Sequence, residues 1–551
     1  MNTKQKKLLF ILLLLAGGAV LRICFIQMHS AFMSSDEAIF GLMAKHIITR
    51  GELSVFMHGQ SHAGSVIAYL AAPLFYLFGI SNLIFKMVCV ILSLLFCWLV
   101  YLLGRQIDNK QTSIFAFAFS IFCPAYLMFG SMQGAGSYII MLLFGVAGLI
   151  LCNDILFTKR LPQYIAYALL GLILGAGFWV LPLMVSFIAS VWLVLFLKDR
   201  KCFFKISFLL FVLFFIIGNL PMIIYDNSPS LQAAGGIAEP YAWPAYKFLF
   251  GKANESLLQR ILMVPANLFS LIRISWPALI GNSVWQYETG FLRRIISIIL
   301  ISFWSIVCFS MFKWRLGFLS NKKSKRKPEL KPVDVLVFQF IFTFLIAAIS
   351  RFQSGFYEPR YLVPSYVFLF IAVGFFIKQL FLKRKKMAYT ILTLMLSLNI
   401  ISCLWFSKSL DTEHGFWPKD QKLINYMIKN NINHPIANYW IAYQIAFETD
   451  EEVIPIPIGF YRFKMYEHVL DYPAPTHYVF RKRAKNDSYF EFFKYDHETK
   501  QWSAEEFSEL LKKLNVPRQD YDVYEFDHYV LFNVPHKYLN PEKFILKTVG
   551  R

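Results

Sequence analysis

"FMSSDEAIFGLMAKHIITRGEL" (Phe32–Leu53) follows the first long apolar run of the chain and sets two adjacent carboxylates, Asp36 and Glu37, at its edge. The chain has 551 residues, of which 57% are hydrophobic and only 16% charged. A soluble protein of that length would carry roughly a quarter charged residues. The composition therefore defines a polytopic membrane protein, and the acid pair stands at a membrane boundary.

Eleven apolar runs approach the ~20 residues that cross a ~30 Å hydrocarbon core. They lie at 8–27, 83–103, 112–129, 137–157, 163–179, 182–197, 205–224, 295–312, 334–350, 362–381 and 388–406. The break between the fifth and sixth rests on "FWVLP" (Phe178–Pro182). With "MNTKQKK" cytoplasmic, the inner loops become "GRQIDNK", "TKR", "KDRKCFFK", "KWRLGFLSNKKSKRKPELK" and "KRKK". All are rich in Lys and Arg, as the positive-inside rule requires. This parity leaves the tail outside and divides the chain into a transmembrane domain, 1–406, and an extracytoplasmic α/β domain, 407–551.

The formal charge of +21 does not mark a nucleic-acid binder. Residues 1–406 hold 36 Lys+Arg against 13 Asp+Glu, and residues 407–551 hold 19 against 21. The excess is inner-loop charge facing anionic lipid. All eight Cys fall in or beside the spans, and no C-x-x-C pair exists. This excludes a thiolate zinc site and a disulfide framework for the tail. The first span lacks a small-residue cleavage site and is expected to stay as an anchor.

The outer loop from Met28 to Asn82 is too long for a connector. Phe40, Met43 and Ile47 share a helical face with Lys45 opposite, which predicts a helix lying in the interface. "GSVIAYLAAPLFYLFG" (Gly64–Gly79) is apolar, short and interrupted by Pro73, and is expected to be a second interfacial or re-entrant helix. Asp226–Arg293 is expected to be an outer segment with belt aromatics. In the tail, "SAEEFSELLKKLN" opens with the capping box Ser503/Glu506. "DVYEFDHYVLFNV" alternates like a strand or hairpin, and "IANYWIAYQIAFETDEEVIPIPI" reads as strand, helix, strand.

Each candidate has a structural reading beside its functional one. Ser35 can cap a helix whose first turn carries Asp36 and Glu37, favourable to the dipole by ~0.3–1 kcal/mol each. Lys86 can snorkel to headgroups, and Arg360 can pair with Glu358. Against these stand the scarcity of acids in 1–406 and the recurrence of outer cations, Lys86, Arg351 and Arg360, at span mouths. A phosphate is a partner that an Arg holds bidentately. His58 and His62 in "MHGQSHAG" are four apart and suit a metal if helical, with Glu52, or a solvated loop that contacts substrate. "DYD" (Asp520–Asp522) lacks a nucleotide-binding context. "NYW" (Asn438–Trp440) with Tyr443 suits an aromatic core better than a sugar platform.

The order of an outer "DE" opening a helix, then "LAAPLFYLFGISNLIFK" leading into the second span, resembles the GT-C glycosyltransferases. The branch concerned holds the protein O-mannosyltransferases and the bacterial lipid A aminoarabinose transferases. "CPAYLMFGSMQGAGSYIIMLLFG", "ILGAGFWVLPLM" and "RYLVPSYVFL" are similar to later spans of that family, so the likeness covers most of 8–406. The resemblance implies that Asp36 is the outer-loop catalytic acid with Glu37 its neighbour. It implies that Lys86 contacts donor phosphate, and that Arg360 and Tyr361 lie near the donor. The chain lacks the β-trefoil insertion of eukaryotic O-mannosyltransferases and the "WWDYG" signature of oligosaccharyltransferases, which puts a protein acceptor in doubt.

These readings define an α-helical polytopic GT-C-like protein of about eleven spans in the inner cell membrane. Its expected activity is transfer of a sugar from a polyprenyl-phosphate donor to an acceptor hydroxyl on the outer face. The direct, inverting displacement assigns Asp36 as base, Glu37 to orient or bind a cation, and Lys86, Arg360, Tyr361 and Arg351 to phosphate. The partners are the donor, a glycolipid, polysaccharide or protein acceptor, and membrane lipid, without nucleic acid. The chemistry requires no cofactor, and a divalent cation is left open. A lipid or sugar transporter would show paired half-repeats and mid-span charges, whereas no such symmetry is found and the charges that stand out lie at the outer mouth. A non-catalytic envelope assembly protein is the third reading.

Overall fold

The computed structural model describes residues 3–28, 33–60, 63–134, 137–228, 257–281, 291–319, 330–350, 359–412, 419–458, 466, 476–482 and 502–539. Two of the residues expected at the site, His62 and Arg351, lie outside the described residues. All eleven apolar runs lie on helices. The first half comprises α1 (Thr3–Met28), α2 (Ser35–Arg50), α3 (Val66–Phe78), α4 (Asn82–Ile107), α5 (Lys110–Ile121), α6 (Ala125–Met132), α7 (Tyr138–Asn153), α8 (Gln163–Val180), α9 (Val185–Lys198), α10 (Ile206–Gly218) and α11 (Leu220–Asp226). There follow α12 (Leu257–Ser270), α13 (Trp276–Ile280), α14 (Phe291–Leu319), α15 (Asp334–Ile349), α16 (Tyr366–Lys383) and α17 (Lys385–Thr412).

Among the described residues eight helical stretches are long and apolar enough to cross a membrane, or ten if two bent pairs count as one span each. The pairs are α5 with α6, bent by 68°, and α10 with α11, bent by 57°. The stretches Pro182–Lys198 and Asp334–Ile349 are shorter, so length leaves the expected eleven crossings at the margin. One helix departs from expectation. Ile261–Ile280, placed by sequence in an outer segment, is continuously helical and apolar enough to span. Pro265, Arg273 and Pro277 disguise it in the sequence. Two hydrogen bonds anchor it: Asn267 donates to the Ala348 carbonyl at 2.8 Å, and Tyr366 donates to that of Leu279 at 2.6 Å.

Lipid supplies no hydrogen bonds, so every break in a span needs internal partners. At the α5/α6 bend the carbonyls of Ile121, Phe122 and Cys123 take donors from Arg22 (3.0 Å), Asn399 (2.8 Å) and Cys403 (3.6 Å). Arg22, buried on α1, also donates to Ser93 and to the Gly18 carbonyl. Elsewhere backbones touch directly. A Cβ at Gly171, Gly175 or Gly218 would run into a facing carbonyl across the α8–α10 contact, a small-xxx-small interface.

The tail forms a five-stranded sheet of order β2-β1-β3-β5-β4. Its strands are β1 (Ile436–Asn438), β2 (Ile456–Ile458), β3 (His477–Arg481), β4 (Asp522–Glu525) and β5 (Tyr529–Asn533). β1 and β2 are parallel, joined by a crossover helix, and β4 and β5 form the antiparallel hairpin. Three helices accompany the sheet: α18 (Gln421–Lys429), the crossover helix α19 (Tyr439–Glu448) and α20 (Ala504–Lys513), which opens on the expected Ser503/Glu506 capping box.

Substitution of Arg22 by Ala leaves the Ile121 carbonyl without its donor, at a cost of ~1–3 kcal/mol. Detergent thermal melts should show the drop, and Cys24→Ser, on the same helix, should not.

Candidate active site

The site grows from the first turn of α2. Ser34 is the N-cap, one residue earlier than the sequence reading placed it, and forms a capping box with Glu37. Ser35, expected as the cap, instead donates its hydroxyl to the Tyr439 carbonyl of α19. The box turns Glu37 inward, where both carboxylate oxygens are fully engaged. Oε1 accepts from Lys86 Nζ at 2.8 Å and from the Gly134 amide at 3.0 Å. Oε2 accepts from the amide of Ser34 at 3.1 Å and from its hydroxyl at 3.4 Å. Glu37 is 0% and Lys86 3% exposed, so neither charge is lost to water and each depends on the other.

From Met33 to His46 every residue is buried except Asp36. Its Oδ1 accepts a hydrogen bond from the Tyr439 hydroxyl. Tyr439 is itself buried, with its ring edge-on to Trp440 and Tyr443 at 5.1 and 5.7 Å. The arrangement presents one half-open carboxylate in an otherwise buried stretch.

The burial of α2 corrects the expectation that Lys45 faces water. α2 packs on both α3 and α19. Lys45 is buried and bonds to Asp450 at 2.5 Å and Glu451 at 2.8 Å. His46 Nε2 and Arg50 reach the same Glu451 carboxylate at 3.0 and 3.2 Å, and the Tyr466 hydroxyl at 2.8 Å. The face that local sequence assigns to solvent is covered by the tail. α3 does present an apolar surface as expected, through Leu70, Tyr76, Leu77 and Phe78.

Burial opposes the charge on Glu451, yet hydrogen bonds from His46, Lys45 and Tyr466, with the charge of His46, outweigh it and hold the carboxyl far below its ordinary range. His58 is the reverse case. Burial, then the nearby His46, pushes it down to about 4, and its Nε2 lies 3.3 Å from Ser54 Oγ. Glu52 faces His46 at 3.6 Å rather than His58. Among the described residues no three His, Cys, Asp or Glu side chains cluster as metal ligands.

Arg360 is exposed, its guanidinium 5.3 Å from the centre of the buried Tyr361 ring and 3.4 Å from that hydroxyl. No described contact links Arg360 to the Asp36–Glu37–Lys86 group. In the tail, Asp520 of the "DYD" accepts from Tyr538 and faces Lys537 at 3.5 Å. Sequence reasoning missed Gly134, Tyr439 and Glu451. Tyr439 stood inside the "NYW" noted as aromatic core, but nothing local ties it to a residue 403 positions away.

The architecture is the GT-C fold anticipated from the order of the sequence elements. No family model and no curated protein matches the sequence. Among solved structures, ArnT from Cupriavidus metallidurans bound to undecaprenyl phosphate matches with a TM-score of 0.58 at 10% identity, over 95% of this chain and 98% of that one. The apo state of ArnT gives the same figures. The archaeal oligosaccharyltransferase AglB from Archaeoglobus fulgidus, in complex with an inhibitory peptide and a dolichol-phosphate, matches at 0.49 with 13% identity over 86% and 69%. At such identities the likeness is one of fold.

Lys86→Met strands a buried carboxylate and should destabilise the protein by ~3–5 kcal/mol. The double variant Lys86→Met/Glu37→Gln removes both charges and should recover most of that loss in a detergent melt. Acidification should act in two stages. The unfolded chain protonates His58 near its ordinary 6.5 while the folded chain resists to about 4, so stability falls across that window. Glu451 stabilises the fold above its unfolded value of 4.5 and loses that contribution as the pH drops further. His58→Gln should flatten the first stage and Glu451→Gln the second, read as melting temperature against pH.

Proposed function

We propose that the chain is a membrane glycosyltransferase that moves a sugar from a polyprenyl-phosphate-linked donor to an acceptor hydroxyl at the outer face of the cell membrane. The observation that carries this reading is Asp36, the one residue of Met33–His46 left open, in a fold shared along 95% of the chain with a protein that binds undecaprenyl phosphate. Outside the cytoplasm no nucleotide-sugar pool exists, so an activated sugar arrives on a lipid phosphate.

Asp36 takes the proton of the acceptor hydroxyl as its oxygen attacks the anomeric carbon. The bond from that carbon to the phosphate oxygen breaks, its electron pair leaves on the lipid phosphate, and configuration inverts. The transition state is oxocarbenium-like by analogy with glycoside hydrolysis. Arg360, exposed beside Tyr361, is assigned to the donor phosphate. Arg351 is assigned with it by sequence. Lys86 acts through Glu37, fixing the turn that aims Asp36. A lipid-linked acceptor is favoured over a protein by the absent oligosaccharyltransferase signature.

A base of this kind contributes about 10²–10⁴-fold. Asp36→Asn should therefore lose at least 100-fold in turnover with unchanged abundance and melting temperature. Arg360→Ala should raise the KM for donor. The readouts are transfer from undecaprenyl-phosphate sugars in proteoliposomes and mass spectrometry of envelope glycolipids. Full activity in the Asp36→Asn protein would overturn the proposal.

A further inference from the structure

We propose that the C-terminal domain completes the active site through Tyr439, whose hydroxyl is a positioning group for the Asp36 carboxylate. The inference rests on the reading of Asp36 as base.

Residue 439 meets the turn at two points. Its carbonyl accepts from the Ser35 hydroxyl, and its phenol donates to Asp36 Oδ1. A docking contact needs just the first of these. The second places a neutral donor on an acid that no other described residue contacts by hydrogen bond. A carboxylate held at one oxygen keeps its rotamer and leaves Oδ2 to face an incoming hydroxyl. Charge-assisted bonds of this type are the strong ones, and positioning of a reacting group is where sub-ångström errors are costly.

The phenol is itself held. Asn438, one residue earlier, exchanges two hydrogen bonds with the Trp502 backbone, at 2.7 and 3.1 Å. This pins the start of α19 to the segment leading into α20. Trp440 and Tyr443 pack edge-on against the ring. At the other end of α19 the Glu451 carboxylate is bound by Lys45, His46 and Arg50 of α2. The crossover helix is thus fastened along α2 at both ends, and the phenol has little freedom to leave Asp36. The catalytic acid is then supplied by the membrane domain and its orientation by the tail.

The test compares three variants of the full chain in proteoliposomes. Tyr439→Phe keeps the ring and carbonyl but deletes the donor. It should lower kcat about 10- to 100-fold, with donor KM and melting temperature close to those of the parent. Ser35→Ala removes the other contact and should leave kcat within about twofold. Asp36→Asn reports on the base independently. Parental kcat in Tyr439→Phe, with Asp36→Asn inactive, would overturn the inference and spare the catalytic reading. Equal losses of kcat in Tyr439→Phe and Ser35→Ala, or a loss matched by a fall in melting temperature, would reduce Tyr439 to a docking residue and overturn it as well. An active Asp36→Asn would instead refute the base.

Discussion

The buried ion pair between Glu37 and Lys86 is the constraint from which the geometry of the site follows. Two charges taken out of water are costly, and such pairs are weak evidence for stability as such. What this pair supplies is direction. Lys86 sits on α4, Gly134 on the segment after α6, and Glu37 accepts from both while closing the capping box with Ser34. The first turn of α2 is therefore tied to two other parts of the bundle through one carboxylate. Successive residues on a helix point ~100° apart. With Glu37 fixed inward, Asp36 is obliged to face out of the bundle, toward α19.

That obligation explains why the tail matters. Without the tail over this turn, Asp36 would face water, free to rotate. α19 instead closes over it, and the basic face of α2 that would have met solvent is neutralised at Glu451. Phe447 lies so close to Gly41 that a Cβ there would overlap its ring, so the two helices meet nearly backbone to ring. The close approach brings Tyr439 within reach of Asp36. The tail and the first loop are separate in sequence and meet in space.

How much of this was legible in the sequence depends on the distance over which each contact acts. The capping signal in "SSDE", the Ser503/Glu506 box, the strand–helix–strand around α19 and the hairpin at 522–533 are local patterns, and they appear as read, save for the one-residue shift of the α2 cap. The apolar runs are likewise local, and all became helices. Lys45 failed because its partner lies about 400 residues away, so its helix looked amphipathic when both faces are covered. Tyr439 failed for the same reason. The helix at 257–280 failed because two prolines and an arginine break the pattern that a hydropathy reading depends on, while its Asn267 and Leu279 anchors are long-range.

The two acids of the motif are chemically near-identical, yet the fold separates them into opposite environments. Glu37 meets four donors within 3.4 Å and has no unengaged oxygen with which to take a proton. Asp36 has one neutral donor and a half-open position. A carboxylate saturated by a cation and amides is a poor base and a good strut. One held by a phenol keeps lone pairs available. Sequence order fixes which is which, because the capping box demands an acid three residues after Ser34 and the helical turn then sends its predecessor to the other side. The contrast between these two consecutive acids is thus a consequence of helix geometry.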